Sequence, residues 1–209
     1  MKNNSYFDQR KIDTIEKLRE IRKELPYICN EYFVGISSRT SELTQLGYAG
    51  DLKIFFHFLT TEICEFVGKS IKNFDYADLA QVTSTHIEMF LDYLTHFCID
   101  GKEYSNSLKT KARKLASIKS FFKYNYNKDN IPSDQAAKVL TPKLVEKPIV
   151  RLENNEVEDL LEVVEDGSGL QGKQVAFHAK TAKRDNAMLT LFLGTGIRVS
   201  ELIGLNVED

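Results

Sequence analysis

Three observations predict a mainly α fold. Apolar residues recur three and four apart along most of the chain, alternating strand patterns are scarce, and only 11 glycines and 4 prolines punctuate 209 residues. With 42% apolar and 11% aromatic residues the chain can fill buried cores, so composition argues against disorder. Its length suits one ordinary domain or two small ones.

The elements follow in order. From Ile12 to Leu25 the apolar set Ile15, Leu18, Ile21 and Leu25 keeps helical period until Pro26, and a second short apolar run covers Tyr27 to Ile36. Ser41 suits the N-cap of a long helix to about Glu65, whose Tyr48, Leu52, Phe55, Phe56, Leu59 and Ile63 form one stripe and the core of a first domain. A loop is expected over Gly68 to Asp78. Thr85 and Glu88 read as a capping box, in which two side chains satisfy helix-start N–H groups reciprocally, with Phe90, Leu91, Leu94 and Phe97/Cys98 turned inward. Asp100-Gly101 is expected to end that helix, and Ser105 or Ser107 to cap the next, which runs to about Lys128.

Pro132, Pro142 and Pro148 fall between Asp129 and Val150 without helical period, which reads as a linker over residues 131–150. Beyond it, Glu153 to Glu165 is amphipathic with Val157, Leu160, Leu161 and Val164 inward, and Gly167, Gly169 and Gly172 mark a loop. Asp185 to Leu193 is an apolar helix, and Val199 to Leu205 a short one. The expected division is a helical domain over 1–130, in which 1–38 can stand apart as an N-terminal extension, and an incomplete second domain over 151–209. Such a remnant, about sixty residues, is thin for an autonomous fold.

Composition and spacing also exclude function classes. The start MKNNSYFDQRKID lacks the apolar run of a secretory signal, and no stretch approaches the ~18 apolar residues of a membrane span, so a cytoplasmic protein with no membrane role is expected. Cys29, Cys64 and Cys98 show no CxxC pairing and read as small buried hydrophobes. His86 and His96, ten apart, point to different faces of one helix, and no HExxH pattern occurs. Neither a metal nor any other cofactor is expected.

The formal charge of −2 argues at first against a nucleic-acid partner. Its distribution reverses that inference. Gly101 to Lys128 holds eight basic residues and one acid, a net +7, while Glu153 to Asp166 holds seven acids and no base, a net −7. At 100° per residue, Leu108, Leu115, Ile118 and Phe122 share one arc of the basic helix and Lys109, Arg113, Lys119 and Lys123 lie roughly opposite. Between those cations Ala112, Ala116 and Ser120 form a small-residue floor over which a phosphate chain can come close. A solubilising surface is the plainer explanation, but such a surface interleaves acids at i±4, and this one does not. Lys109, Lys111, Arg113, Lys119 and Lys123 are the expected contacts to double-stranded DNA, with Lys183 and Arg184 as a minor basic cluster.

Near the C-terminal end, Gly194 and Gly196 break one helix, Arg198 starts the next, and Glu201 follows at i+3 on the same face. A glutamate so placed can hold a guanidinium and leave N–H groups free for a phosphate oxygen, although an isolated Arg-x-x-Glu is more often a surface pair worth about 0–1 kcal/mol. The string Thr195-Gly-Ile-Arg198-Val-Ser200-Glu201-Leu202-Ile-Gly-Leu205 resembles the first-arginine motif of the tyrosine recombinases, or phage integrases, T-G-x-R-x-S-E-L-x-x-L. Thr195, Gly196, Arg198, Ser200, Glu201, Leu202 and Leu205 all match. The likeness extends upstream through Tyr48, Asp51-Leu52, Phe55 and Phe58-Leu59, Thr83 to Leu94, Ser107 to Phe122 and Leu152 to Leu161, and so covers most of the chain from about Ser41.

The resemblance implies a SAM-like helical core-binding domain followed by the helical start of a mixed α/β catalytic domain, clamped around duplex DNA. A tyrosine of the full-length protein would attack the scissile phosphate to give a 3′-phosphotyrosyl link. Arg198 would carry over as the first catalytic arginine and Glu201 as its orienting partner. The family's lysine hairpin, His-x-x-Arg box, further His or Trp and nucleophilic tyrosine would all lie beyond Asp209, so this chain is expected to be inactive and monomeric alone. Tetramers on paired sites are implied only for the full-length protein. Glu153 stands where a Ser/Thr cap is usual, and Ile131-Pro-Ser-Asp where Asn-Pro is common. On residues alone, a standalone non-catalytic DNA-binding or regulatory module and a scaffold for an acidic partner stay open.

Overall fold

A computed structural model describes residues 6–144, 148 and 150–205. Residues 1–5 and 206–209, and 145–147 and 149 of the expected linker, lie outside the described residues. The fold is mainly α, in two units: a helical unit of residues 9–144, and a second unit of residues 6–8, 148 and 150–205.

The helical unit consists of α1 (Tyr6–Glu24) from residue 9 onward, α2 (Tyr27–Ile36), α3 (Glu42–Glu62), α4 (Tyr76–Gln81), α5 (Ser84–Tyr93), a hairpin of β1 (Phe97–Ile99) and β2 (Lys102–Tyr104), and α6 (Leu108–Asn127). Pro26 stands at the N-cap of α2, where its missing N–H and fixed φ separate α1 from α2. Ser41 caps α3 by accepting from the Thr44 N–H at 3.2 Å, as its sequence position predicts.

The stripe on α3 is the centre of the core. Leu52, Phe55, Phe56, Leu59 and Ile63 are buried, and Tyr48 is partly so. Phe55 meets Phe90 of α5 edge to face at 5.1 Å, and Phe56 does the same with Phe74 at 5.1 Å and with Phe121 of α6 at 6.0 Å. Tyr32 of α2 closes the cluster, 5.2 Å from Phe121. Leu18, Leu25, Ile28, Cys29, Tyr32 and Phe33 all join this core, so residues 9–38 pack with the helical unit.

Several expectations are corrected. α3 stops at Glu62 because Ile63 takes an extended backbone that turns it and Phe66 into the core. Within the expected loop Gly68 to Asp78, Asp75 and Asp78 form a reciprocal capping box that starts α4. The capping box of α5 is Thr83 with His86, two residues earlier than Thr85 and Glu88: Thr83 Oγ1 accepts from the His86 N–H, and His86 Nδ1 accepts from the Thr83 N–H, both at 3.3 Å. Asp100-Gly101 ends no helix. With φ of 52° and 74° the pair makes the tight turn of a hairpin that sets Phe97 opposite Tyr104. Leu108 is exposed, and so are Cys64 and Cys98, leaving Cys29 as the one buried cysteine. The expected linker begins later than residue 131, because Ile131, Ala136 and Val139 are buried against the same core.

The second unit is built from α7 (Asn154–Asp166), α8 (Lys173–Thr195) and α9 (Val199–Ile203). α8 starts a full three turns before Asp185, since Gly172 closes the preceding loop with a positive φ and lies at the N-cap. α7 and α8 pack together at Gly167, whose φ of 73° ends α7; a Cβ there would lie 2.8 Å from the His178 ring. His178 Nε2 lies 2.8 Å from the Val164 carbonyl oxygen. No described residue of these three helices is buried, so Val157, Leu160, Leu161 and Val164 remain partly open to solvent rather than forming a core.

Stability should therefore reside in the helical unit. Phe56→Ala is expected to lower its unfolding free energy by about 3–5 kcal/mol, and Phe177→Ala, at a position 66% exposed, to change it by less than about 0.5 kcal/mol; urea unfolding followed by circular dichroism checks both. The Asp78 N–H holds the Asp75 carboxyl below the usual carboxylate range. A depressed folded pKa means that the stabilisation is complete above about pH 4 and lost as pH falls through the folded value. Asp75→Asn, which can cap without titrating, should flatten the acid side of a melting-temperature profile below about pH 4.

Candidate nucleic-acid interface

Helix α6 begins where Ser107 Oγ accepts from the Thr110 N–H at 3.3 Å. Its apolar arc, Leu115, Ile118, Phe121 and Phe122, is buried on the aromatic core. That burial turns the opposite arc outward and sets the positions of its cations. Lys109 and Lys123 are exposed and Lys119 is half-buried.

The remaining expected contacts are engaged. Lys111 points elsewhere, its Nζ donating to Thr95 Oγ1 at 2.6 Å beyond the end of α5. Ser120 is not a bare floor residue, because Tyr32 Oη donates to its Oγ at 2.9 Å and ties α6 to α2. Arg113 is held by a carboxylate: its Nη1 and Nη2 donate to Asp51 Oδ2 and Oδ1 at 2.7 and 2.8 Å. The Arg113 side chain is nevertheless 53% exposed.

Asp51 itself is 2% exposed, on the buried side of α3. Besides Arg113 it accepts from Lys114 Nζ at 2.9 Å and from Ser117 Oγ at 2.6 Å, and both of those side chains are buried. One carboxylate thus receives four hydrogen bonds from three side chains of α6, two of which are cationic, and the cluster keeps a net positive charge. Lys114, Ser117 and Asp51 were missing from the expected site. Their signal was an acid inside the apolar stripe of α3 and a lysine and serine inside the apolar arc of α6, since a buried charge requires partners.

The second candidate lies in the other unit, at the α8–α9 junction. α8 ends where Thr195 Oγ1 donates back to the Leu191 carbonyl at 2.5 Å and accepts from the Ile197 N–H at 3.3 Å. Gly196, with φ of 68°, reverses the chain, and Arg198 becomes the N-cap residue of α9. Glu201 then clasps Arg198 twice. Its Oε2 accepts the Arg198 N–H at 2.8 Å and its Oε1 accepts Nη1 at 3.1 Å. The backbone N–H first, then the guanidinium, hold the Glu201 carboxyl below the usual range. The Arg198 side chain stays 81% exposed, so a fixed guanidinium faces outward at a helix start, an arrangement suited to an anion.

Lys183 and Arg184 are not brought to this junction. They sit about three turns earlier on α8, roughly 16 Å of helix rise before its end, and Arg184 donates from Nε and Nη2 to Asp185 Oδ1 at 2.9 and 2.8 Å. Among the described residues no group of three or more His, Cys, Asp or Glu side chains could hold a metal ion, and no helix is long and apolar enough to cross a membrane.

No family model matches the chain, and no solved structure does. Among curated proteins it is 32% identical over 181 residues to tyrosine recombinase XerC of Caldanaerobacter subterraneus subsp. tengcongensis, covering 85% of this chain and 47% of that protein. Tyrosine recombinase XerC of Natranaerobius thermophilus is 36% identical over 130 residues, 62% of this chain and 37% of that protein. Tyrosine recombinase XerD of Oceanobacillus iheyensis is 34% identical over 108 residues, 52% of this chain and 32% of that protein. The chain spans half or less of the length of these three relatives. A likeness to recombinases that runs over most of the chain makes this chain a member of the tyrosine recombinase family.

Proposed function

We propose that the chain is the DNA-binding portion of a site-specific tyrosine recombinase. In this reading residues 9–144 are a SAM-like core-binding domain and residues 151–205 begin a mixed α/β catalytic domain. The carrying observation is Arg198, fixed by Glu201 through both its backbone and its guanidinium and still 81% exposed. That arrangement suits stabilisation of a phosphate at the moment its charge grows, because the donors are oriented beforehand and need not reorganise.

In the full-length protein a tyrosine oxygen attacks the scissile phosphorus, the 5′ oxygen leaves, and a 3′-phosphotyrosyl link remains. Arg198 donates to the non-bridging oxygens as negative charge builds on them. All nine tyrosines of this chain precede Arg198. The nucleophile is therefore assigned to a part of the recombinase outside these 209 residues, consistent with relatives of which this chain covers less than half. Lys109, Arg113, Lys119 and Lys123 on the outer arc of α6 contact the DNA backbone, Lys183 and Arg184 supply minor contacts, and tetramers on paired sites belong to the full-length protein.

The chain should bind random duplex DNA in a gel-shift titration at low salt. The slope of log affinity against log salt should become shallower by about 0.9 for each of Lys109, Lys119 and Lys123 changed to Ala. Absence of binding at low salt would sink the reading. In a chimaera completed with the C-terminal half of the Caldanaerobacter relative, Arg198→Ala should reduce covalent adduct formation on a nicked suicide substrate by about 10²–10³-fold. Unchanged adduct formation would remove Arg198 from the reaction.

A further inference from the structure

We infer that Asp51 is a positioning residue for DNA binding, acting through Arg113; this rests on the reading of α6 as the DNA-contacting helix. The Asp51 carboxylate takes one N–H from each terminal nitrogen of the guanidinium, at 2.7 and 2.8 Å. Such a bidentate pair fixes the plane of the group and leaves its other N–H donors directed away from Asp51. The guanidinium lies over α3 beside Gly47, one turn before Asp51, where an added Cβ would be 3.6 Å from Nη1. A larger side chain there would meet the guanidinium directly.

Lys114 and Ser117 keep Asp51 itself from moving. They approach its two oxygens from the buried side of α6 at 2.9 and 2.6 Å, so the carboxylate is anchored by one pair of donors and presents the other pair's partner to the surface. A free arginine loses rotamer freedom when it binds a phosphate; one already clamped has lost it on folding. The clamp therefore makes Arg113 differ from Lys109 and Lys123, which are exposed cations without such a partner among the described residues. It also extends the binding surface from α6 alone to the α3–α6 pair, with α3 contributing a residue that never touches the DNA.

Positioning and simple charge predict opposite signs. Removing a carboxylate beside a polyanion should tighten binding if charge alone matters. If Asp51 positions Arg113, Asp51→Asn should instead weaken binding of the whole chain to a random duplex by about fivefold and make its salt slope shallower by about 0.9. Arg113→Lys, which keeps the charge but cannot form the bidentate clamp, should weaken binding by a similar factor and tests the same point should Asp51→Asn fail to fold.

Tighter or equal binding by folded Asp51→Asn, or wild-type affinity in Arg113→Lys, would overturn the positioning role. No binding by the wild-type chain at low salt would overturn the DNA reading and this inference with it. Wild-type binding that Arg113→Lys leaves intact would overturn this inference alone.

Discussion

A carboxylate with almost no access to water holds α3 to α6. Taking a carboxylate out of water costs several kcal/mol, so Asp51 is tolerable only because Arg113, Lys114 and Ser117 surround it with oriented donors. The requirement is directional in a way that the aromatic contacts around it are not. Apolar ring contacts carry no donor–acceptor direction, whereas four donors on two oxygens specify one rotation and one register of α6 against α3. Once that register is set, Phe121 and Phe122 face inward, Lys109 and Lys123 face outward, and Ser120 meets Tyr32.

The two units differ in kind. The helical unit buries aromatic residues from α2, α3, α5 and α6 in one continuous core, which Ile131, Ala136 and Val139 extend past the end of α6. The second unit has helices with well-formed ends, including the left-handed glycines at positions 167 and 196, but no buried residue among those described. Its local structure is therefore specified by capping and turn chemistry rather than by a core. The Arg198 clasp is of this local kind: donor and acceptors lie within one helical turn. The Asp51 cluster is of the opposite kind, joining residues more than sixty positions apart.

That distinction also explains what could be read beforehand. Helices α2, α3 and α6 and their caps at Ser41 and Ser107 follow from period and polar punctuation, and the Arg198–Glu201 pair follows from i+3 spacing plus two glycines. The errors cluster where two local signals competed. Thr83 and Thr85 both offered a cap, and the histidine at position 86 was not recognised as the reciprocal partner. Asp-Gly after an apolar run fits both a helix end and a hairpin turn, and the pairing of Phe97 with Tyr104 decided between them. Three prolines without helical period suggested a linker over 131–150, because burial of Ile131 and Val139 has no periodic signature.

By itself, then, the sequence determined the mainly α character, most helix ends, the segregation of charge into a basic and an acidic helix, and the Arg198–Glu201 spacing. These depend on neighbours within a turn or on composition, which a linear string records. Only the tertiary structure decided which cations of α6 are free. Lys111 and Lys114 carry the same charge as Lys109 and Lys123, but Thr95 and Asp51 stand next to the first two, and both partners arrive from helices or loops distant in the chain. A charge is legible from one residue; whether it is already neutralised, clamped or open depends on what the fold places beside it.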